Sequence, residues 1–142
     1  MCGILAIFNS DKSALEIQEA SKCLDSRGPD ASCTVNNNNS IMVFKRLCIN
    51  DLSDKGNQPF ISGDIMMMCN GEIYNHKHLK EEYDLKCKSE SDCEVVLHLY
   101  KKIGFVETIK LLDGVFAIVL VDKDVIYFCN DRIGIRPLFK GK

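Results

Sequence analysis

The chain reads as an α+β domain built mainly of antiparallel strands. Three observations point there. Short apolar runs bounded by turn signals lie toward both ends of the chain, and the strongest helical pattern lies between them. The elements follow in the order strands, helices, strands, not as repeated strand–helix–strand units. The strand pairs are joined by a few polar residues, and only antiparallel strands can close over so short a connection.

Each element has its own signal. Residues 4–8 (Ile-Leu-Ala-Ile-Phe) form a buried strand. Ser13-x-x-Glu16 is a capping box, and Ile17, Ala20 and Leu24 recur at helical spacing, so a helix runs to about residue 24. Arg27-Gly28-Pro29-Asp30 is a turn. Residues 32–36 and 41–45 form a hairpin around the polar tip Asn37–Ser40. Residues 46–59 are irregular. Another strand pair lies within Ile61–Cys69 and turns at Ser62-Gly63-Asp64. A short helix covers 76–83. Ser91-x-x-Glu94 is a second capping box, opening a helix whose Val95, Leu99 and Ile103 face the core and which ends at Gly104. A short helix over 105–112 follows. Asp113-Gly114 then leads into strands 115–121 and 125–129 around a turn at Asp122–Asp124.

Composition narrows the class. With 142 residues and 46% hydrophobic content, residues 1–142 form one domain with a sizeable core. A net charge of −2 supplies no basic field for nucleic acid or an anionic membrane. No apolar run is long enough to span a bilayer, and no signal-peptide pattern opens the chain, so a cytoplasmic location is expected. Cysteines occupy positions 2, 23, 33, 48, 69, 87, 93 and 129. Without an export signal, reduced core thiols are expected in place of four disulfides. There is no Cys-x-x-Cys pair, and His76, His78 and His98 make no ligand-spaced cluster with the cysteines, so no metal is expected.

Cys2 reads in two ways. It is a small residue opening a strand, where free cysteines are often buried. It is also the residue left first if Met1 is removed, and would then carry a thiol and a free α-amine together. Such an amine titrates at about 7.7–8.0. Its neutral form can take the thiol proton directly or through water, giving a nucleophile with its own base.

A cysteine that attacks an amide needs donors for the oxyanion that forms. The Asn70 side chain and the Gly71 N–H offer two, at the end of the apolar run Ile65–Cys69. Arg46 offers a planar fork for a substrate carboxylate, and Asp92 a carboxylate for a substrate ammonium. Each feature alone has a plainer reading. Asn-Gly is a favoured hairpin turn, Arg46 a surface charge, and Asp92 an acid at a helix start.

Taken together, the motifs resemble the class II glutamine amidotransferases, whose glutaminase domains are N-terminal-nucleophile hydrolases. The resemblance is closest to the glutaminase domains of glutamine-hydrolysing asparagine synthetases. It rests on Met1-Cys2-Gly3-Ile4, Arg27-Gly28-Pro29-Asp30, Arg46-Leu47-x-Ile49-x-Asp51-Leu52 and Gln58-Pro59. It continues through Asn70-Gly71-Glu72-Ile73-Tyr74-Asn75-His76, Ser91-Asp92-x-Glu94-Val95, Leu112-Asp113-Gly114-x-Phe116-Ala117 and Asp131-Arg132-x-x-Gly134-x-x-Pro137-Leu138.

The resemblance implies a four-layer αββα sandwich, shortened at its C-terminal end. It implies that Cys2 attacks the side-chain amide of L-glutamine while Asn70 and Gly71 hold the oxyanion. It places Arg46, Leu47, Ile49, Asn50, Glu72 and Asp92 around the substrate. Arg27 and Asp30 would order a nearby loop, with a purely structural part as their alternative. Ser26 stands where the family usually has histidine, and Phe44-Lys45 where it often has His-Glu. No cofactor is implied for this step. ATP and magnesium would belong to a separate synthetase domain, because no phosphate-cradling glycine loop occurs here. A synthetase partner chain or self-association is expected to cover open sheet edges. Three other readings remain at this level: an inactive module of the same fold, a cysteine-rich redox or metal protein, and a hydrolase of a different amide.

Overall fold

A computed structural model of the protein describes residues 1–37 and 39–141. Its elements are β1 (Gly3–Phe8), α1 (Ala14–Lys22), β2 (Ala31–Asn37), β3 (Ser40–Arg46), β4 (Phe60–Ser62) and β5 (Ile65–Ile73). There follow α2 (His76–Glu82), α3 (Glu94–Ile103), α4 (Phe105–Leu111), β6 (Gly114–Asp122) and β7 (Val125–Asn130). Asn38, at the expected hairpin tip, lies outside the described residues.

The strands form two antiparallel sheets, ordered β1-β3-β2 and β4-β5-β6-β7. Alternation along each strand decides what packs where. Ile4, Ala6 and Phe8 of β1 face Met42 and Phe44 of β3, Met66 and Met68 of β5, and Val119 and Val121 of β6, filling the space between the sheets. The intervening positions of β5 and β6 (Met67, Cys69, Ile73, Ile118, Leu120) point the other way, onto Leu79 of α2 and Val95, Val96 and Leu99 of α3. A side chain buried to this degree contributes about 1.5–3 kcal/mol. On the outer face of the first sheet Gly3 lies against Leu24, just beyond α1. The layers are therefore α1, three strands, four strands, and α2–α4, which is the expected αββα order with a thin first layer.

Two elements depart from the sequence expectation. The α1 capping box is present, with Ser13 N–H donating to Glu16 Oε2 at 2.8 Å. The second capping box is not. Cys93, not Ser91, precedes α3, and it makes no side-chain cap. The Glu94 carboxylate turns away to accept from Lys88 N–H at 2.9 Å and from Ser89 N–H at 2.7 Å. The loop crossing from α2 supplies donors that local sequence cannot display. The other departure is Asn70-Gly71, which is neither a turn nor a strand end. It lies inside β5, paired with Ala117 and Phe116 of β6.

Candidate active site

The loop that leaves β3 surrounds the Cys2 thiol. Leu47 N–H donates to Cys2 Sγ at 3.4 Å, and the thiol faces Leu47 O at 3.7 Å. Arg27 Nε donates to the Cys2 carbonyl at 3.1 Å, fixing the backbone that carries the sulfur. Asp30 anchors the same loop, since its carboxylate accepts from Cys48 N–H at 2.7 Å and its own N–H donates to Arg46 O at 3.0 Å. Arg27 and Asp30 thus act on the backbone around the site and do not line it. Burial pushes the Cys2 thiol above its ordinary pKa. The Leu47 hydrogen bond and the charge of the chain's terminal amine pull it down without cancelling that rise.

Cys2 opens onto a cavity of about 90 Å³. Nine of the expected site residues line it, brought together from four separate segments: Cys2; Arg46, Leu47, Ile49 and Asn50; Asn70, Gly71 and Glu72; and Asp92. Asn70 is buried, while Ile49 and Glu72 are exposed at its rim. Met1 also lines the cavity, so removing it both frees the Cys2 amine and enlarges the space.

The open edge of β5 explains why Gly71 belongs here. Cys69 N–H donates to Gln58 Oε1 at 2.6 Å, and Gln58 Nε2 donates to Cys69 O at 3.1 Å, so a side chain stands in for a neighbouring strand. Four residues on, Ile73 N–H donates to Asp92 Oδ2 at 2.6 Å. Gly71 lies midway at the same period-2 position. Its partner Phe116 gives its backbone groups to Asp131, at 2.8 and 3.2 Å. Gly71 and Phe116 are therefore a non-hydrogen-bonded pair, and the Gly71 N–H points along the open edge into the cavity. Glycine is required by crowding on the β6 side: a Cβ would come within 2.6 Å of Phe116 Cα and still closer to Val115 O.

The two charged residues are less free than the sequence suggests. Arg46 is buried. Its Nη1 donates to Ser53 O at 2.7 Å and to Asn57 Oδ1 at 2.8 Å, and its Nη2 donates to Asp51 O. Three of a guanidinium's five N–H groups are thereby committed to the 51–57 loop. Asp92 Oδ1 accepts from Asn50 Nδ2 at 2.8 Å while Oδ2 takes the Ile73 N–H. Each oxygen keeps acceptor capacity toward the cavity. Both groups are thus held rigid before any ligand arrives.

The sequence reading assigns no role to several contributors. Gln58 enters it only through the Gln58-Pro59 motif, yet it sets the β5 edge. Asp51 is buried and ties two loops together, accepting from Ser53 N–H at 2.7 Å and Glu90 N–H at 2.8 Å. Arg136 reaches the cavity beside Met1. The signal for Gln58 and Asp51 was a polar residue flanked by turn residues, which carries no address for its partner.

All of residues 1–142 match the family described as "Glutamine amidotransferase domain". The chain belongs to that family. As a glutamine amidotransferase domain it is also similar to much longer proteins. It is 41% identical to the asparagine synthetase [glutamine-hydrolyzing] of Homo sapiens, with 99% of this chain and 26% of that protein aligned. It is 38% identical to the probable asparagine synthetase [glutamine-hydrolyzing] of Acanthamoeba polyphaga mimivirus, covering 99% and 28%. For asparagine synthetase [glutamine-hydrolyzing] 1 of Arabidopsis thaliana the figures are 37%, 99% and 25%. The glutamine amidotransferase domain thus spans about a quarter of the length of these relatives. No helix among the described residues is long and apolar enough to cross a membrane.

Proposed function

We propose that this domain hydrolyses L-glutamine to L-glutamate and ammonia through Cys2, after Met1 is removed. The observation that carries the reading is one cavity holding a thiol, the Asn70 amide, the edge-facing Gly71 N–H, and one rigid group of each charge. A thiol whose pKa is raised by burial needs a base, and the α-amine of Cys2 is the one its own chain position supplies. The amine takes the thiol proton, and sulfur attacks the side-chain amide carbon. Asn70 Nδ2 and Gly71 N–H hold the oxyanion. Collapse of the adduct breaks the C–N bond, and the ammonium proton leaves with the nitrogen as ammonia. Water then cleaves the γ-glutamyl thioester, returning the thiol and glutamate. The remaining N–H groups of Arg46 take the substrate carboxylate, and Asp92 takes its ammonium. Leu47, Ile49, Asn50 and Glu72 complete the wall.

This step uses no cofactor. ATP and magnesium would serve acceptor chemistry in a separate synthetase domain, with asparagine as the product, as the names of the relatives suggest. A partner chain or a second copy is supported by open apolar surface. Phe139 is 90% exposed, Ile133 is 81% exposed, and the edge strand β7 exposes Val125 and Phe128. A cytosolic setting accords with eight free cysteines.

The test is glutamate and ammonia release from glutamine, paired with the intact mass of the same sample. Turnover is expected only in material lacking Met1, and a glutamine-analogue electrophile should label Cys2 and fail on Cys2→Ala. Full turnover by protein that retains Met1 would overturn the reading.

A further inference from the structure

Outside the residues that line the cavity, the fold assembles a set of metal donors that the proposed glutamine chemistry does not use. Cys87 lies on the loop between α2 and α3. Glu94 and His98 lie one turn apart on α3. One ligand atom from each falls within 4.8 Å of the other two. Sequence spacing shows no histidine–cysteine ligand motif, and the three donors meet only in space. The cluster is formed by the loop folding back, not by chain spacing.

We propose that Cys87 Sγ, Glu94 Oε1 and His98 Nε2 hold one zinc-class divalent ion, with water as the fourth ligand. The donor set suits such an ion. Thiolate, imidazole and carboxylate are the three protein ligand types that zinc accepts, and three of them plus water fill a tetrahedral site. The carboxylate is already oriented. Glu94 Oε2 accepts from Ser89 N–H at 2.7 Å and Ser89 Oγ at 2.5 Å, while Oε1 faces His98 Nε2 at 3.2 Å. Outer hydrogen bonds of this kind fix a ligand before the ion enters. The ion would take the place of the direct contact between Oε1 and Nε2.

Access and burial also fit. The Glu94 side chain is 6% exposed and that of His98 is 23% exposed, so the site is walled on one side and open on the other. Burial and the nearby Glu94 charge push the Cys87 thiol up to about 11. Binding releases the thiol proton to solvent as the thiolate ligand forms. The Lys80 ammonium near this loop is the competing cation.

The consequence is structural. The loop from Cys87 to Glu94 carries Ser91 and Asp92, which line the glutamine cavity. An ion joining Cys87 to the first turn of α3 clamps both ends of that loop.

Cobalt(II) and zinc titrations of the full chain test the site. Wild-type protein should take up one equivalent of cobalt with a thiolate-to-cobalt charge-transfer band, and zinc should displace it and raise Tm. Cys87→Ser should abolish the band, and His98→Gln should weaken binding by tenfold or more, each with an unchanged circular dichroism spectrum. Cys2→Ser and Cys23→Ser should keep the band. A band that survives Cys87→Ser, one that disappears in Cys2→Ser, or no uptake by wild-type protein would overturn the proposal. Cys87→Ala gives the same reading should Cys87→Ser fold poorly.

Discussion

Asn70 gains its chemical meaning from the two residues beside it. Cys69 is bound to Gln58, and Gly71 is turned to the open edge, so Asn70 is the one buried amide side chain between a sealed and an unsealed part of β5. If its amide holds charge that exists only during reaction, the loss on truncation falls on kcat. Asn70→Ala is expected to lower kcat by roughly 10²–10³-fold while KM moves by about twofold or less. Steady-state kinetics with glutamine would show this. A KM that rises as steeply as kcat falls would place Asn70 in ground-state binding instead. The plain reading of Arg46 as a surface charge does not survive its burial, and Asp92 is buried beside the start of α3. A buried charge held by backbone partners is retained only where its partners are fixed.

At the scale of elements, β5 is the part on which the site depends. Gly71→Ala would push a methyl group into Val115 O and the Phe116 backbone. Overpacking of this kind costs about 1–3 kcal/mol, and Tm should fall by roughly 3 °C or more. Thermal unfolding checks it, and an unchanged Tm would mean that β6 yields freely. Gln58→Leu keeps similar volume and removes the stand-in strand. It leaves the buried Cys69 N–H and C=O unpaired at a cost of about 1–3 kcal/mol each. Amide exchange at Cys69 should accelerate together with that loss. The failed capping box at Ser91 shows the limit of local signals. Ser-x-x-Glu does mark a helix start when no competitor is near, as at Ser13. At Glu94 the Lys88 and Ser89 amides approach from outside the window and win the carboxylate.

For the whole molecule, acid is the condition that exposes its polar anchors. Burial alone would raise the Asp131 carboxyl, but N–H donors from Arg136, Ile135, Phe116 and Ile133 hold it below its ordinary value. Ser53 above all lowers Asp51. Glu94 is lowered too, because donors from Lys88 and Ser89 outweigh its burial. A carboxylate with a depressed folded-state pKa contributes stability above its unfolded value, about 3.9 for Asp and 4.3 for Glu. That contribution is lost as pH falls through the folded value. Tm should therefore hold steady from neutral pH to about 5 and fall steeply below about 4. Asp131→Asn should flatten the acid limb. A Tm profile with the same acid slope in that variant would sink this assignment.

The sequence by itself determined the α+β class, the order of the elements and most of their bounds, because period-2 and period-3.6 apolar patterns are local consequences of which face is buried. It also marked Cys2, Arg46, Asn70, Gly71 and Asp92 as candidates, because the proposed chemistry calls for a nucleophile, oxyanion donors and one group of each charge, and only certain residue types supply them. Tertiary structure alone decided that Asn70-Gly71 is strand and not turn, that Gln58 and Asp51 fasten the site, and that Cys87 meets Glu94 and His98. Those outcomes depend on which backbone groups another segment leaves unpaired, and a distant partner's hydrogen-bonding needs leave no trace in the spacing of nearby residues.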